Sequence, residues 1–230
     1  MGVAWTEAPG FEADDIIGTL SAQAEERGLA TVIVTGDRDS FQLIGGNTQV
    51  WFTKKGISET EKLDEAALRE RYGLAPWQVP DLKGLMGDSS DNIPGIAGIG
   101  EKTALKLLGE YGSLEETLAH ADQVKGKLGE KLRAGRELAL LSRELGTICR
   151  SAPLEIDFER CRWDEMASGA PLLERYGLKT ISRSILTLLG GEAPVPAQVE
   201  ARGTAASRRA AGKDARPCLL YTSDAADEED

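Results

Sequence analysis

Histidine is almost missing from this chain: His120 is the only one in 230 residues. That leaves little for imidazole acid–base chemistry and keeps carboxylate–metal chemistry open. Cysteine is nearly as scarce. Cys149, Cys161 and Cys218 form no CxxC pair and carry no metal-ligand spacing, so a reduced, cytoplasmic setting is expected. No apolar run approaches the length that crosses a bilayer, no secretory signal opens the chain, and no internal repeat is visible. A membrane partner is not expected.

What the chain has in excess is acid, with 38 Asp and Glu against 27 Lys and Arg and a net charge of −11. Taken alone, that balance argues against nucleic-acid binding. The last stretch, "CLLYTSDAADEED", distorts it. Residues 218–230 read as one frame of a transposon-type sequencing adapter, a non-native tail to be set aside from fold reasoning. The tail carries five acids and no base, so the remainder stands at −6, five charges up from −11. If the seven carboxylates considered below hold cations, the remainder sits near neutrality, and global charge decides nothing.

The first third of the chain reads as α/β. Residues 3–6 suggest a short strand. "EADDIIGTLSAQAEERG" places Ile16, Ile17, Leu20 and Ala24 on one helical face before Gly28. "LATVIVT" (29–35) is a β-branched run suited to a buried parallel strand, and "TQVWF" (48–52) is a third strand. From Asp64 the character becomes helical: "DEAALRERYG", "PWQVPDLKGLMGD", "SLEETLA" capped by Ser113 with Glu116 three residues on, "KGKLGEKLRAGRELALLSRELGTI" and "PLLERYGLKTISRSILTLL". Residues 190–217 have the Gly, Ala, Pro and charge of a flexible linker. Trp5, Trp51, Trp77 and Trp163 read as packing residues.

Acids recur at element ends. Glu12, Asp14 and Asp15 open the first helix. Asp37 and Asp39 follow the strand 29–35, at the end of an α/β sheet where ligands bind. Asp88 and Asp91 follow a helix in "MGDSSDN". Each cluster alone has a plain explanation, as a helix cap or a turn. All three together, with oxygen donors only, suit Mg²⁺ or Mn²⁺, and several acids sharing a site suggest two ions, as in phosphoryl displacement.

"GFEADDIIGTL", "VTGDRDSFQL", "GDSSDNIPGIAGIGEKTALKLL" and "GSLEE" resemble, in order, the 5′-nuclease domain of bacterial DNA polymerase I, within the flap endonuclease superfamily. The resemblance runs from about residue 1 to 190. It implies a partial PIN-like, Rossmann-like parallel sheet over 1–91 and a helix–hairpin–helix-type DNA-binding region over 92–189. It also implies that Glu12, Asp14, Asp15, Asp37, Asp39, Asp88 and Asp91 are metal-site carboxylates, with Asp37 and Asp88 central to catalysis. The implied activity is hydrolysis of DNA phosphodiesters at 5′ ends and flaps by two divalent ions, during replication and repair, in a bacterial, nucleoid-associated monomer. Measured against that family, the chain is expected to lack an N-terminal strand and basic arch, and to precede a covalently linked polymerase domain. Weakened metal binding and poor turnover are then expected. The alternative is a fragment retaining duplex-DNA binding alone.

"GIAGIGEKTALKLL" adds a glycine-rich turn feeding a helix. Gly95, Gly98 and Gly100 allow close approach to a phosphate, the helix N-terminus offers free N–H groups, and Lys102, Thr103 and Lys106 lie beside them. A plain turn between packed helices reads equally well from composition. The resemblance implies a grip on the backbone of duplex DNA, with K⁺ at the turn as a family option. Lys125, Lys127, Lys131, Arg133 and Arg136 read first as a solvated face, and second as a further backbone-contact strip.

Overall fold

The computed structural model describes residues 4–56, 59–162, 168–190 and 218–221. The linker expected at 190–217 falls, after Gly190, outside the described residues, as does Trp163.

Helix α1 (Ala13–Glu26) begins where the Glu12 N–H donates to Asp15 Oδ2 at 3.1 Å and stops before Gly28, whose φ of +70° ends it. Strand β1 (Thr31–Thr35) follows, then a 3-10 turn (Asp39–Leu43), β2 (Thr48–Lys55) and β3 (Glu59–Leu63). β1 and β2 pair in parallel, Ile33 opposite Val50, and β2 turns back antiparallel into β3. The sheet order is β3-β2-β1-β4, with β4 (Cys218–Tyr221) parallel to β1.

Three expectations for this half need correction. Of the strand expected at 3–6, the described residues 4–6 form none, and the β1 edge is paired with β4 instead. β4 itself comes from the segment set aside as foreign: an open parallel edge takes an apolar strand wherever the chain supplies one, and "CLLY" is one. β3 is new. Its "ETEKL" shows too few apolar residues to be read as a strand, because it is a charged edge strand with one apolar contact, Leu63, fully buried.

Beyond β3, α2 (Glu65–Tyr72) is capped by Asp64, whose Oδ1 accepts from the Ala67 N–H, and closes on Gly73 at φ +70°. α3 (Val79–Met86), α4 (Glu101–Tyr111), α5 (Leu114–Ala119), α6 (Gly126–Ala134) and α7 (Arg136–Leu145) follow, then α8 (Ala170–Arg175) and α9 (Lys179–Gly190). The long helix read across 125–148 is two helices. Their junction at Gly135 closes on Ile96, where a Cβ would lie 2.8 Å from Cγ2. The helix read from "PLLERYG" onward also divides, at Gly177 with φ +78°. Trp5 and Trp77 are exposed, at 80% and 58%, rather than packed.

Two apolar cores result. One joins Ile17, Ile33, Phe41, Val50, Leu63 and Leu68 beneath the sheet. The other joins Leu85, Ile96, Leu107, Leu114 and Leu132 among the helices. α3 belongs to both, since Val79 packs in the first and Leu85 in the second. A division at residue 91 therefore does not separate the cores. Among the described residues no helix is long and apolar enough to cross a membrane.

Candidate metal centre and nucleic-acid interface

β1 ends at Thr35, and the chain turns there. The Asp37 N–H donates to Thr35 Oγ1 at 2.9 Å, and Asp37 Oδ1 accepts from the Asp39 N–H at 2.8 Å. This Asx-type turn starts the 3-10 turn and fixes the Asp39 backbone. On the other side, α3 ends at Gly87 (φ +75°), and the loop 88–93 is pinned by paired backbone bonds. Asp88 N–H donates to Ile93 O at 2.8 Å, and Ile93 N–H to Asp88 O at 2.7 Å. Asp88 Oδ1 further accepts from the Ser90 N–H at 2.9 Å and from the Ser90 hydroxyl.

Between these two turns lies a residue that the sequence reading passed over. Lys83, in the last turn of α3, has a side chain only 9% exposed. Its Nζ pairs with Asp39 Oδ2, lies 3.0 Å from Asp88 Oδ2 and donates to Asp91 Oδ2 at 2.8 Å. Three carboxylates from two acidic clusters thus meet around one ammonium. Burial alone would lower the Lys83 pKa, but Asp39 and Asp91 outweigh it and hold the group above its ordinary value, firmly charged. Burial, reinforced by Asp37 and Asp91, raises Asp39 to about 6 despite Lys83. Burial pulls Asp88 upward too, but Ser90 and Lys83 prevail and hold it below the usual carboxylate value.

The first cluster is employed differently. Asp15 Oδ2 caps the start of α1, and its Oδ1 accepts from the Cys149 N–H at 2.8 Å. Each Asp15 oxygen thus accepts from a backbone N–H, and the residue holds α1 against the segment after α7. Gly18 serves the same junction, since a Cβ there would lie 2.6 Å from Ile148 Cγ2. Glu12 is exposed at the helix start and Asp14 half-buried in its first turn. Among the described residues, no group of three or more His, Cys, Asp or Glu is arranged to hold a metal ion. The donor chemistry nevertheless suits one. Asp39, Asp88 and Asp91 offer hard anionic oxygens converging on one cationic position, which Lys83 Nζ takes.

The glycine turn sorts into unequal parts. Gly95 is buried, its N–H donates to Ser142 Oγ at 3.0 Å, and a Cβ would lie 2.1 Å from Gly87 N. It is a packing glycine, and its expected contact with phosphate is corrected accordingly. Gly98 (φ +73°) and Gly100 are exposed, and Gly100 opens α4 with nothing within 4 Å of a Cβ. Lys102 and Lys106 are exposed on α4, with Thr103 half-buried beside them. Lys131 Nζ donates to Gly98 O at 2.8 Å, tying α6 to the turn. Arg133 and Arg136 donate instead to Ala121 O and Leu118 O at the end of α5, a structural duty.

Sequence models of the 5′-3′ exonuclease family match this chain in two adjoining pieces: the N-terminal resolvase-like domain over residues 1–73, and the C-terminal SAM fold over 74–168. The chain belongs to the 5′-3′ exonuclease family. The join between the two pieces, 73/74, precedes Leu74, the first residue of the helical core. The chain is 54% identical over 154 residues to DNA polymerase I of Bacillus caldotenax, covering 66% of this chain and 18% of that protein. It is 44% identical over 197 residues to DNA polymerase I of Lactococcus lactis subsp. cremoris, covering 84% and 22%. It thus spans about a fifth of the length of the curated relatives it matches. Among solved structures, T5 5′-exonuclease with bound zinc ions aligns with a TM-score of 0.53 at 20% identity, over 78% of this chain and 60% of that one. The bacteriophage T5 D15 flap endonuclease with DNA and metal ions gives 0.52 at 19%, over 79% and 61%. These likenesses bear out the α/β fold with its helical second half. Asp39 lies within the first matched piece, and Asp88 and Asp91 lie within the second.

Proposed function

We propose that this chain carries the nuclease chemistry of a divalent-metal-dependent, structure-specific 5′-nuclease acting on duplex DNA with a 5′ end or flap. The observation that supports it most is the meeting of Asp39, Asp88 and Asp91 at one cationic position beside the C-terminal end of β1. Asp39, Asp88 and Asp91 would hold Mg²⁺ or Mn²⁺, with Asp37 alongside, and Glu12 and Asp14 serving a second ion. A bound divalent cation supplies charge neutralisation on the phosphate and activation of the nucleophile. The chain's own residues orient and exclude. The two turns fix the carboxylates, and exposed Lys102 and Lys106 at the start of α4 bind backbone phosphates without reading sequence. A monovalent cation such as K⁺ at the hairpin turn would share Gly98 O with Lys131. In this reading the protein works in DNA replication and repair as a monomer in the bacterial cytoplasm, joined to a polymerase domain.

A second reading is a duplex-binding module with a dormant acidic cluster. It is favoured by the Lys83 ammonium, which already occupies the centre of the acidic cluster.

Single-turnover cleavage of a labelled 5′-flap duplex in Mn²⁺, beside an Asp88→Ala variant, separates the two. The nuclease reading predicts cutting that EDTA stops and that Asp88→Ala lowers at least a hundredfold with DNA binding intact. Salt-sensitive binding with no cutting by the unaltered chain leaves the second reading standing.

A further inference from the structure

Lys83 Nζ carries the charge opposite to that of the three carboxylates it meets, and resting on the metal-site reading above, we infer that it is an internal placeholder for the cation. Its ammonium keeps Asp39, Asp88 and Asp91 together in the metal-free protein, and divalent metal displaces it.

The geometry supports this in three ways. First, the contacts are those of a bound cation: three carboxylate oxygens, from the 3-10 turn and from the loop after α3, on one nitrogen. Without a positive centre, three acids on two short turns repel one another and the turns separate. Second, the arrangement is only partly neutralised. One ammonium against three carboxylates leaves two negative charges uncompensated, so the cluster retains attraction for a divalent ion. Third, the lysine is built to move only at its tip. Its stem lies flat against Gly146 at the end of α7, where a Cβ would fall 2.9 Å from Lys83 Cδ and 3.2 Å from its Cβ. The far end of a four-carbon chain retains rotamer freedom that the stem has lost. Gln42 holds this wall in place: its Nε2 donates to Gly146 O at 3.1 Å, and its Oε1 accepts from the Ile148 N–H at 3.0 Å.

A lysine acting as a positioning group alone and a lysine acting as a placeholder predict opposite changes in metal affinity. If Lys83 merely positions the acids, removing it loosens them and metal binds more weakly. If it holds the cation's place, removing it deletes a competitor.

The test uses the full 230-residue chain and Mn²⁺ as the probe. Calorimetric titration at neutral pH should show Lys83→Met binding Mn²⁺ at least tenfold more tightly than the unaltered chain, while its metal-free form melts at a lower temperature. Lys83→Arg, which keeps the charge, should bind no more tightly than the unaltered chain. A second measurement needs no variant. Acylation of lysines, read by mass spectrometry, should label Lys83 slowly without metal and several-fold faster with Mn²⁺, while Lys102 changes little. Equal or weaker Mn²⁺ affinity in Lys83→Met overturns the placeholder, as does saturable Mn²⁺ binding that leaves Lys83 labelling unchanged. In both of those cases the metal site itself stands. Absence of saturable Mn²⁺ binding in every form rejects the metal site and the placeholder together.

Discussion

Replacing Gly95 with alanine is expected to destabilise the chain by about 4 kcal/mol, combining a left-handed backbone penalty of about 1–2 kcal/mol with about 1–3 kcal/mol of overpacking. Gly95 sits at φ +57°, and its missing Cβ would meet Gly87 N at 2.1 Å, Met86 C at 2.5 Å and Gly87 Cα at 2.6 Å. All three are backbone atoms, so no side-chain rotation relieves the clash. The same contact closes the loop that carries Asp88 and Asp91, because the Ile96 N–H reaches Leu85 O at 2.9 Å just beyond it. Urea unfolding reads the loss directly, and thermal melting should fall by roughly 10 °C for a domain of this size. Gly98→Ala is the control. Its φ is also positive, but the atom in the way is the mobile Nζ of Lys131, so the cost should be about 1–2 kcal/mol. A loss below about 1 kcal/mol in Gly95→Ala would show that the turn is not locked as described.

Replacing Asp39 with asparagine is expected to move stability the other way. In the metal-free chain Asp39 is held at about 6, above its unfolded value of 3.8, because burial and the neighbouring Asp37 disfavour its charge more than Lys83 favours it. The folded state therefore binds more protons than the unfolded state between these two values. Stability from this group is fully present at low pH and is lost as pH rises through 6. Going from pH 7 to pH 5 should add about 1 kcal/mol through Asp39. Asp88, held low, opposes this only nearer its ordinary value of 3.8. Asparagine keeps an acceptor for Lys83 without the charge, so Asp39→Asn should stabilise the metal-free chain at pH 7 by about 1–2 kcal/mol and flatten this part of the pH profile. The same change should weaken Mn²⁺ binding at least tenfold. Denaturant titrations at pH 5 and pH 7 check the first part. An unchanged pH profile in the variant would mean that Asp39 is not the titrating group.

The contrast between these two substitutions also marks what the sequence reveals. β1 and α1 were legible because their periodicity is local: "TVIVT" is β-branched throughout, and α1 runs from an acidic start to a left-handed glycine. The acids at element ends were legible as a set. Their division of labour was not, because Asp15 differs from Asp39 only in what folds against it, the backbone of Cys149. Gly95, Gly98 and Gly100 look alike in "GIAGIG", yet one is locked against Gly87, one bonds Lys131, and one faces open space. Lys83 was missed because a single lysine in "VPDLKGLM" reads as a solvent-facing residue of an amphipathic helix. The one local sign is its helix: eight residues long, it buries both of its charged side chains, Asp81 and Lys83, between two cores. Asp81 accepts from the Leu114 N–H at 3.0 Å and faces Arg143, so α3 is ionically anchored on both sides.

The most direct test of the central claim, that carboxylate-held metal acts on a DNA phosphate here, is a sulfur substitution at the scissile linkage of a 5′-flap duplex. Hard Mg²⁺ tolerates sulfur poorly and softer Mn²⁺ tolerates it better. The account predicts that the thio substrate is cut at least tenfold more slowly than the oxygen substrate in Mg²⁺, and that Mn²⁺ restores most of the difference. An equal slowing in both metals, or cutting that continues in EDTA, would contradict it.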